Sequence, residues 1–319
     1  MNPPEILTAA KLSPFFMASL QAHYVVHDRL HLSDPAAFAT VAPRIRAVAA
    51  SGDSQVPAEL IDRLPALELI SVMGVGYDGV DLGRCLARQV PVTHTPDVLN
   101  DDVADLALAL MLSVARAIPQ SDVHVRAGRW PEGPMPLQRK MSGSRIGIVG
   151  IGRIGQAIAT RAAAFGMGIA YTARSPRPQL PYRYLPTAAA LAAESDFLVV
   201  ITPGGEGTRH LINAEVLQAL GPRGYVINVA RGSVMDQDAL IEALEQGSIA
   251  GAGLDVFADE PEVPERLRAL PNVVLTPHVG SATHETRRAM ADLAFANLHA
   301  HFSGNPLITP VPECRQAAT

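Results

Sequence analysis

Residues 146–155, IGIVGIGRIG, constrain this chain more than any other stretch. The apolar run IGIV (146–149) reads as a buried strand. RIGQAIATRAAAFG (153–166) reads as a helix, with Ile154, Ile158, Ala162 and Phe165 along one face and Gly166 as its stop. Between them stands Gly150-x-Gly152-x-x-Gly155. A glycine triplet alone is a weak signal in a chain with 25 glycines. Placed after a strand and at the start of an amphipathic helix it is a strong one. Gly150 would permit the tight turn, Gly152 the approach of a pyrophosphate, and Gly155 close packing of helix on strand. The free N–H groups and positive dipole end of the helix would face the anion.

The same alternation extends both ways. Downstream strands are expected at GIAYT (168–172), FLVVI (197–201), YVINV (225–229), AGLDV (252–256) and VVLTP (273–277). Upstream, HYVVH (23–27), IRAVAA (45–50), LELISV (67–72) and VPVTH (90–94) repeat the pattern less clearly. A long helix is expected over about 100–118, with Asn100 as its cap and Pro119 as its end, followed by a proline-rich loop at 129–138. A last helix spans 283–302. The expected fold class is α/β: two Rossmann-like or flavodoxin-like domains with parallel sheets and an active-site cleft between them. Residues 97–285 would form the dinucleotide-binding domain, and 1–96 with 286–319 the substrate-binding domain.

At 319 residues the chain suits two cores, and 48% hydrophobic content makes it globular. A net charge of −5 argues against a nucleic-acid binder. Cys85 and Cys314 are too few for a disulfide framework and fit a reducing cytoplasm. No apolar run reaches membrane-spanning length and no signal peptide is evident, so a cytoplasmic protein is expected. His23, His27 and His31 recur every four residues, but the intervening YVV favours a strand, and no metal site is expected.

In dinucleotide sites an acidic residue often ends the second strand and accepts hydrogen bonds from the ribose hydroxyls. Here that position is Thr172, followed by Ala173, Arg174 and Ser175, with Arg177 and Arg153 nearby. A guanidinium fork and a hydroxyl suit a 2′-phosphate, and an acid that would repel one is missing. The cofactor expected is therefore NADP(H), with NAD(H) as the weaker alternative.

Open α/β sheets bind ligands at the carboxyl ends of their strands. Those ends carry Thr202 and Pro203, then Ala230, Arg231 and Gly232, then Asp255, then Pro277 and His278, with Asp259 and Glu260 near. This set fits a 2-keto acid. An arginine fork at Arg231 can hold the coplanar carboxylate and carbonyl oxygens. His278 can supply a proton near neutral pH, and Glu260 would favour its protonated ring.

INVARGSVMD (227–236), GAGLDVFADEPEVP (251–264) and NVVLTPHVGSAT (272–283) closely resemble signature segments of the D-isomer-specific 2-hydroxyacid dehydrogenase family. SVMGVGYDGVD (71–81), TPDVLNDDVADLALALML (95–112) and GIVGIGRIG extend the resemblance over most of the chain. TARSPR and PYRYLP (181–186) are most similar to its NADPH-dependent glyoxylate/hydroxypyruvate reductase branch, which includes hydroxyphenylpyruvate reductases. The resemblance implies Arg231, Glu260 and His278 as the catalytic set, and Val75 and Gly76 as backbone N–H groups for the substrate carboxylate. Successive N–H groups in a glycine-rich turn make an anion nest, which gives that role a physical basis. It also implies a cofactor-contacting set of Gly150, Gly152, Arg153, Ile154, Gly155, Arg174, Ser175, Thr202, Pro203, Thr208, Val229, Ala230, Asp255 and Gly280, with Asp255 near the nicotinamide. The glutamate at 260 separates the chain from formate dehydrogenases, where glutamine would stand.

The expected reaction is reduction of glyoxylate or hydroxypyruvate to glycolate or D-glycerate by a homodimer. The alternatives are a reductase of a larger 2-keto acid, such as 2-ketogluconate or an aryl pyruvate, and a non-catalytic dinucleotide-sensing regulator. One departure concerns the pocket. Some glyoxylate reductases carry a second tryptophan just beyond the linker's Gly-x-Trp, whereas this chain has only Trp130, followed by PEGPMPLQ. Met73, Met135 and Leu137 are further pocket candidates.

Overall fold

Six short apolar runs and the dipeptide Arg183–Tyr184 assemble into one all-parallel sheet in the chain's middle. The computed structural model describes residues 3–316. The chain forms two compact units, residues 1–99 with 281–319, and residues 100–280.

In the first unit the strands are β1 (Glu5–Thr8), β2 (Val25–Asp28), β3 (Ile45–Ser51), β4 (Leu69–Met73) and β5 (Val92–Thr93), in the order β2-β1-β3-β4-β5. In the second they are β6 (Arg145–Val149), β7 (Gly168–Thr172), β8 (Arg183–Tyr184), β9 (Phe197–Val200), β10 (Tyr225–Asn228), β11 (Gly251–Leu254) and β12 (Val273–Leu275), in the order β12-β11-β10-β9-β6-β7-β8. Every pairing between these strands is parallel. Parallel sheets are covered on both faces, so their strands read as unbroken apolar runs rather than alternating ones. LISVM of β4, FLVV of β9 and GAGL of β11 are accordingly buried at every residue.

Each unit has its own core. In the second, Leu198, Val200, Val226 and Leu254 pack with Leu191, Leu217, Leu240 and Leu267 from the crossovers. In the first, Leu7, Ile45, Val48 and Ile70 pack with Phe38, Ile61 and Leu64. Full burial of such a side chain is worth about 1.5–3 kcal/mol. The glycines of β11 serve helix packing. A Cβ on Gly253 would lie 3.0 Å from Leu110 Cβ, and one on Gly251 3.0 Å from Val114 Cγ2. Their absence lets the helix Asn100–Arg116 lie on the strand.

Two expected boundaries move. The long helix ends at Arg116 rather than near 118, because Ala117 turns left-handed at φ 47°. Pro119 does not end it but sits in the first turn of a further helix, Ile118–Arg126, where a missing N–H costs nothing. The expected strand HYVVH also starts late. His23 closes the helix Pro14–His23, which Ser13 caps by accepting from Phe16 N, and β2 begins at Val25. His27 lies on β2 with Nε2 2.8 Å from Glu5, and His31 lies on the short helix Leu30–Ser33. Among the described residues no group of three His, Cys, Asp or Glu could hold a metal ion, and no helix is long and apolar enough to cross a membrane.

Candidate active site

Because the strands of the second unit run the same way, their carboxyl ends fall on one edge of the sheet. That edge carries the expected glycine loop after β6 and the Arg231, Glu260 and His278 segments after β10, β11 and β12.

The glycine loop is shaped by its neighbours. Gly150 has φ 101°, its N–H donates to Thr172 O at 3.0 Å, and a Cβ there would lie 2.8 Å from Ile201 O. The turn is thus wedged between the ends of β7 and β9. A Cβ on Gly155 would lie 2.2 Å from Gly150 O, so the helix Arg153–Ala164 starts hard against the strand. Gly152 is the opposite case. It precedes that helix with no side-chain cap, and nothing lies within 4 Å of a Cβ placed there. The result is an open face of unsatisfied helix N–H groups, which suits a pyrophosphate. Arg153 is exposed and Ile154 half-buried at the helix start.

The end of β7 presents buried Thr172 and then exposed Arg174 and Ser175. Neither Arg174 nor Ser175 hydrogen-bonds or ion-pairs through its side chain among the described residues. Thr202 and Pro203 follow β9, and Thr208 Oγ1 donates to Pro203 O at 2.7 Å, closing that loop. Val229 and Ala230 are buried after β10.

The turn bearing Arg231 is built by a buried asparagine. Asn228 Oδ1 accepts from Ala230 N at 3.0 Å, and its Nδ2 donates to Arg231 O at 3.1 Å. A Cβ on the next residue, Gly232, would lie 1.8 Å from Phe257 O. That contact brings the Arg231 turn against the segment leading to Glu260.

Glu260 and His278 meet directly, His278 Nδ1 lying 2.7 Å from Glu260 Oε2. Glu260 Oε1 accepts from Phe257 N at 2.9 Å, which fixes the carboxylate. Nδ1 is thereby engaged, leaving Nε2 for a ligand. Both side chains stay partly exposed, 37% for His278 and 27% for Glu260. The carboxylate bonded to the imidazole raises the pKa of His278 above its ordinary 6.5, against the opposing effects of burial and of the Arg231 charge. Burial works to raise the pKa of Glu260. The hydrogen bonds from His278 and Phe257, with the His278 and Arg231 charges, outweigh it and hold the acid below its usual range.

Asp255 is 2% exposed and fully employed. Oδ1 accepts from Thr276 Oγ1 at 2.6 Å and Val279 N at 2.8 Å, and Oδ2 accepts from Gly280 N at 2.8 Å. Its visible work is to hold the loop that carries His278. Sequence reasoning passed over Asn228 and Thr276, and placed Gly232 at the strand end without its packing role. The only signals for the first two were an asparagine ending a strand and a threonine before Pro277.

Val75 and Gly76 belong to the first unit and follow β4. His94 Nδ1 lies 3.0 Å from Val75 O and supports their turn. Of the other pocket candidates, Met73 is buried and Leu137 wholly exposed.

A histidine paired with a carboxylate and an open, uncapped helix start on the same edge of the sheet suit a dinucleotide-dependent oxidoreductase. Residues 108–280 match the family described as D-isomer specific 2-hydroxyacid dehydrogenase, NAD binding domain. The chain is 54% identical over 270 residues to a hydroxyphenylpyruvate reductase of Plectranthus scutellarioides, covering 85% of this chain and 86% of that one. It is 44% identical over 308 residues to a 2-ketogluconate reductase of Gluconobacter oxydans, covering 97% and 98%. Among solved structures, an NADPH-dependent glyoxylate/hydroxypyruvate reductase of Sinorhizobium meliloti, in complex with NADP and malonate, superposes with a TM-score of 0.93 at 46% identity over 98% of each chain. The chain belongs to the D-isomer-specific 2-hydroxyacid dehydrogenase family. It is thus a 2-hydroxyacid dehydrogenase, or 2-keto acid reductase, that works with a nicotinamide dinucleotide. The uncapped helix start and the open Gly152 fit that cofactor.

Proposed function

We propose that the chain reduces a short 2-keto acid, glyoxylate or hydroxypyruvate, with NADPH to glycolate or D-glycerate. The observation that carries this reading is the 2.7 Å contact of His278 with Glu260, on the edge of the sheet that also carries Arg231 and the glycine loop.

When bound, the dinucleotide supplies the hydride for the keto carbon. The chain's residues do the rest. Arg231 grips and polarises the planar keto acid. Protonated His278 gives the proton on Nε2 to the carbonyl oxygen, and Glu260 holds Nδ1 and stabilises the charged ring. Val75 and Gly76 are assigned to the substrate carboxylate through their N–H groups. Gly150, Gly152, Arg153, Ile154 and Gly155 would hold the pyrophosphate, with Thr202, Pro203, Thr208, Val229, Ala230 and Gly280 along the rest of the cofactor.

Arg174 and Ser175 support NADPH over NADH, since both stand exposed and unengaged where an acid would otherwise end β7. The NADP complex of the S. meliloti relative agrees with this reading. The active protein is a homodimer in the cytoplasm. Exposed Ile118, Val123, Val125 and Trp130 support the first, and two unpaired cysteines the second.

The test is kcat/KM for NADPH and for NADH with glyoxylate, then with hydroxypyruvate. A preference for NADPH of about tenfold or more is expected, the worth of one or two charge-assisted hydrogen bonds. A preference for NADH overturns the cofactor assignment, and no turnover with either overturns the substrate assignment.

A further inference from the structure

The loop that carries Arg174 and Ser175 is tied down by two tyrosine hydroxyls. Residues 173–182 join β7 to β8, and 174–179 are all exposed. Tyr171 on β7 is 1% exposed, and its ring lies against that of Tyr184, its register partner on β8, with centroids 5.6 Å apart. A buried phenol needs a partner for its hydroxyl. Here both of its bonds go to one residue of the loop. The Tyr171 hydroxyl accepts from Arg177 N at 2.6 Å and donates to Arg177 O at 3.4 Å. The Tyr184 hydroxyl donates to Ala173 O at 3.4 Å. Among the described residues, no other hydrogen bond holds the backbone of 173–177 to the sheet.

The local sequence makes these few bonds sufficient. Ser175-Pro176-Arg177-Pro178 places a proline on each side of Arg177. Each proline fixes its own φ and drives the residue before it toward extended backbone. Neither has an N–H, so Arg177 supplies the one backbone donor of that proline-flanked stretch, and Tyr171 accepts it. A stiff stretch needs one anchor. Fixing Arg177 therefore fixes Ser175 and Arg174 just before it.

We propose that Tyr171 is a positioning residue for nucleotide selectivity, its buried hydroxyl, with that of Tyr184, holding residues 173–177 in the shape that reads a 2′-phosphate. This extends the assignment of Arg174 and Ser175 to that phosphate and rests on it. Both of those side chains are exposed and make no hydrogen bond or ion pair among the described residues, so their readiness depends on the backbone that carries them. An arginine on an unfixed loop loses backbone as well as side-chain freedom when it grips an anion. On a loop already fixed it loses only the second, and the difference appears as affinity. NADH carries no 2′-phosphate and gains nothing from the loop's shape.

The experiment uses the whole enzyme and its Tyr171→Phe and Tyr184→Phe variants. Calorimetric titration gives Kd for adenosine 2′,5′-bisphosphate, AMP, NADPH and NADH. Trypsin reports on the loop itself through cleavage after Arg174, since the bond after Arg177 leads into proline and resists the protease. Tyr171→Phe is expected to weaken the bisphosphate and NADPH about three- to tenfold, the worth of one hydrogen bond, and AMP and NADH by less than about twofold. Cleavage after Arg174 should quicken, and an unchanged rate overturns the anchor. Tyr184→Phe should act the same way but less, its bond being longer. Combined with Arg174→Ala and Ser175→Ala, Tyr171→Phe should add no further loss for NADPH. Equal weakening of NADPH and NADH leaves the tyrosine a purely structural part and overturns the proposal, as does a full further loss in the combined variant. Tyr184→Phe, which takes a hydroxyl from a half-buried ring, decides in the same terms if Tyr171→Phe does not fold. An unaltered enzyme that binds the bisphosphate no tighter than AMP overturns the phosphate assignment beneath the proposal. A selective enzyme whose selectivity survives in both variants overturns the proposal alone.

Discussion

His278 has a left-handed backbone, at φ 52°, which a residue with a Cβ adopts only when its surroundings compel it. Such a conformation costs about 1–3 kcal/mol. The compulsion comes from Asp255, whose oxygens accept from Thr276, Val279 and Gly280 on both sides of the histidine. In Asp255→Asn one acceptor becomes a donor facing a donor. We expect a loss of about 1–3 kcal/mol in urea unfolding, with kcat falling more than KM rises. Unchanged stability and kcat would remove Asp255 from this role. The proposed proton-donor role of His278 is tested by His278→Ala, expected to lower kcat by about 10²–10⁴. Its ionisation is tested through Glu260. The folded pKa of His278 is raised, so the ring stays protonated above 6.5, and with the proposed role reduction should fail only as pH rises through the higher value. Without the carboxylate, Glu260→Gln should move that alkaline limb of kcat/KM to lower pH. The stability the pair contributes runs the same way. The histidine's share is complete below 6.5 and lost as pH rises through its folded pKa. The glutamate's share is present above 4.5 and lost as pH falls through its lowered one. An alkaline limb unmoved in Glu260→Gln would mean that another group sets it.

At the level of elements, the strand–glycine–helix unit was legible because its signals are local: an apolar run, three glycines and an amphipathic repeat within about 20 residues. The short strand β8 carries only two residues and no such pattern, so it could not be read. Pro119 was legible as a break but not as the start of the next helix, since proline serves both. The site was legible in its residue types but not in its contacts. Glu260 and His278 are 18 residues apart, and their meeting depends on turns after two different strands. The glycine loop allows folding and binding to be separated. A methyl group at Gly152 meets no atom within 4 Å, so Gly152→Ala should keep its melting temperature while weakening nucleotide binding. Unaltered affinity would place the pyrophosphate elsewhere. Arg174→Ala with Ser175→Ala should cut affinity for NADPH by about tenfold and leave NADH nearly unchanged. An equal loss for both would deny the pair its part in reading the phosphate.

At the level of the whole molecule, the two cores account for most large apolar side chains, and those left outside them fall largely in one segment. Ile118, Val123, Val125, Trp130 and Leu137 are each about half exposed or more, and the helix Ile118–Arg126 buries no residue. A helix with apolar side chains in water on more than one face gains by being covered. Burial is worth about 1.5–3 kcal/mol for a wholly exposed side chain and about half that for Ile118, Val123 and Val125. A two-fold contact covers both copies, so the gain falls in the same range as the roughly 4–15 kcal/mol lost in freedom of motion when two molecules associate. Polar contacts around such a patch can then tip the balance toward a dimer. A second copy is the partner that meets this requirement without further machinery, since a two-fold interface presents the same patch from both sides. Ile118 and Val125 are seven residues apart and so share a helix face. Aspartates at both would place two charges per chain in that interface. The doubly substituted protein should sediment as a single chain while the unaltered protein sediments as two, with the far-ultraviolet circular dichroism of both the same. If the unaltered protein sediments as one chain at micromolar concentration, the patch serves something other than self-association.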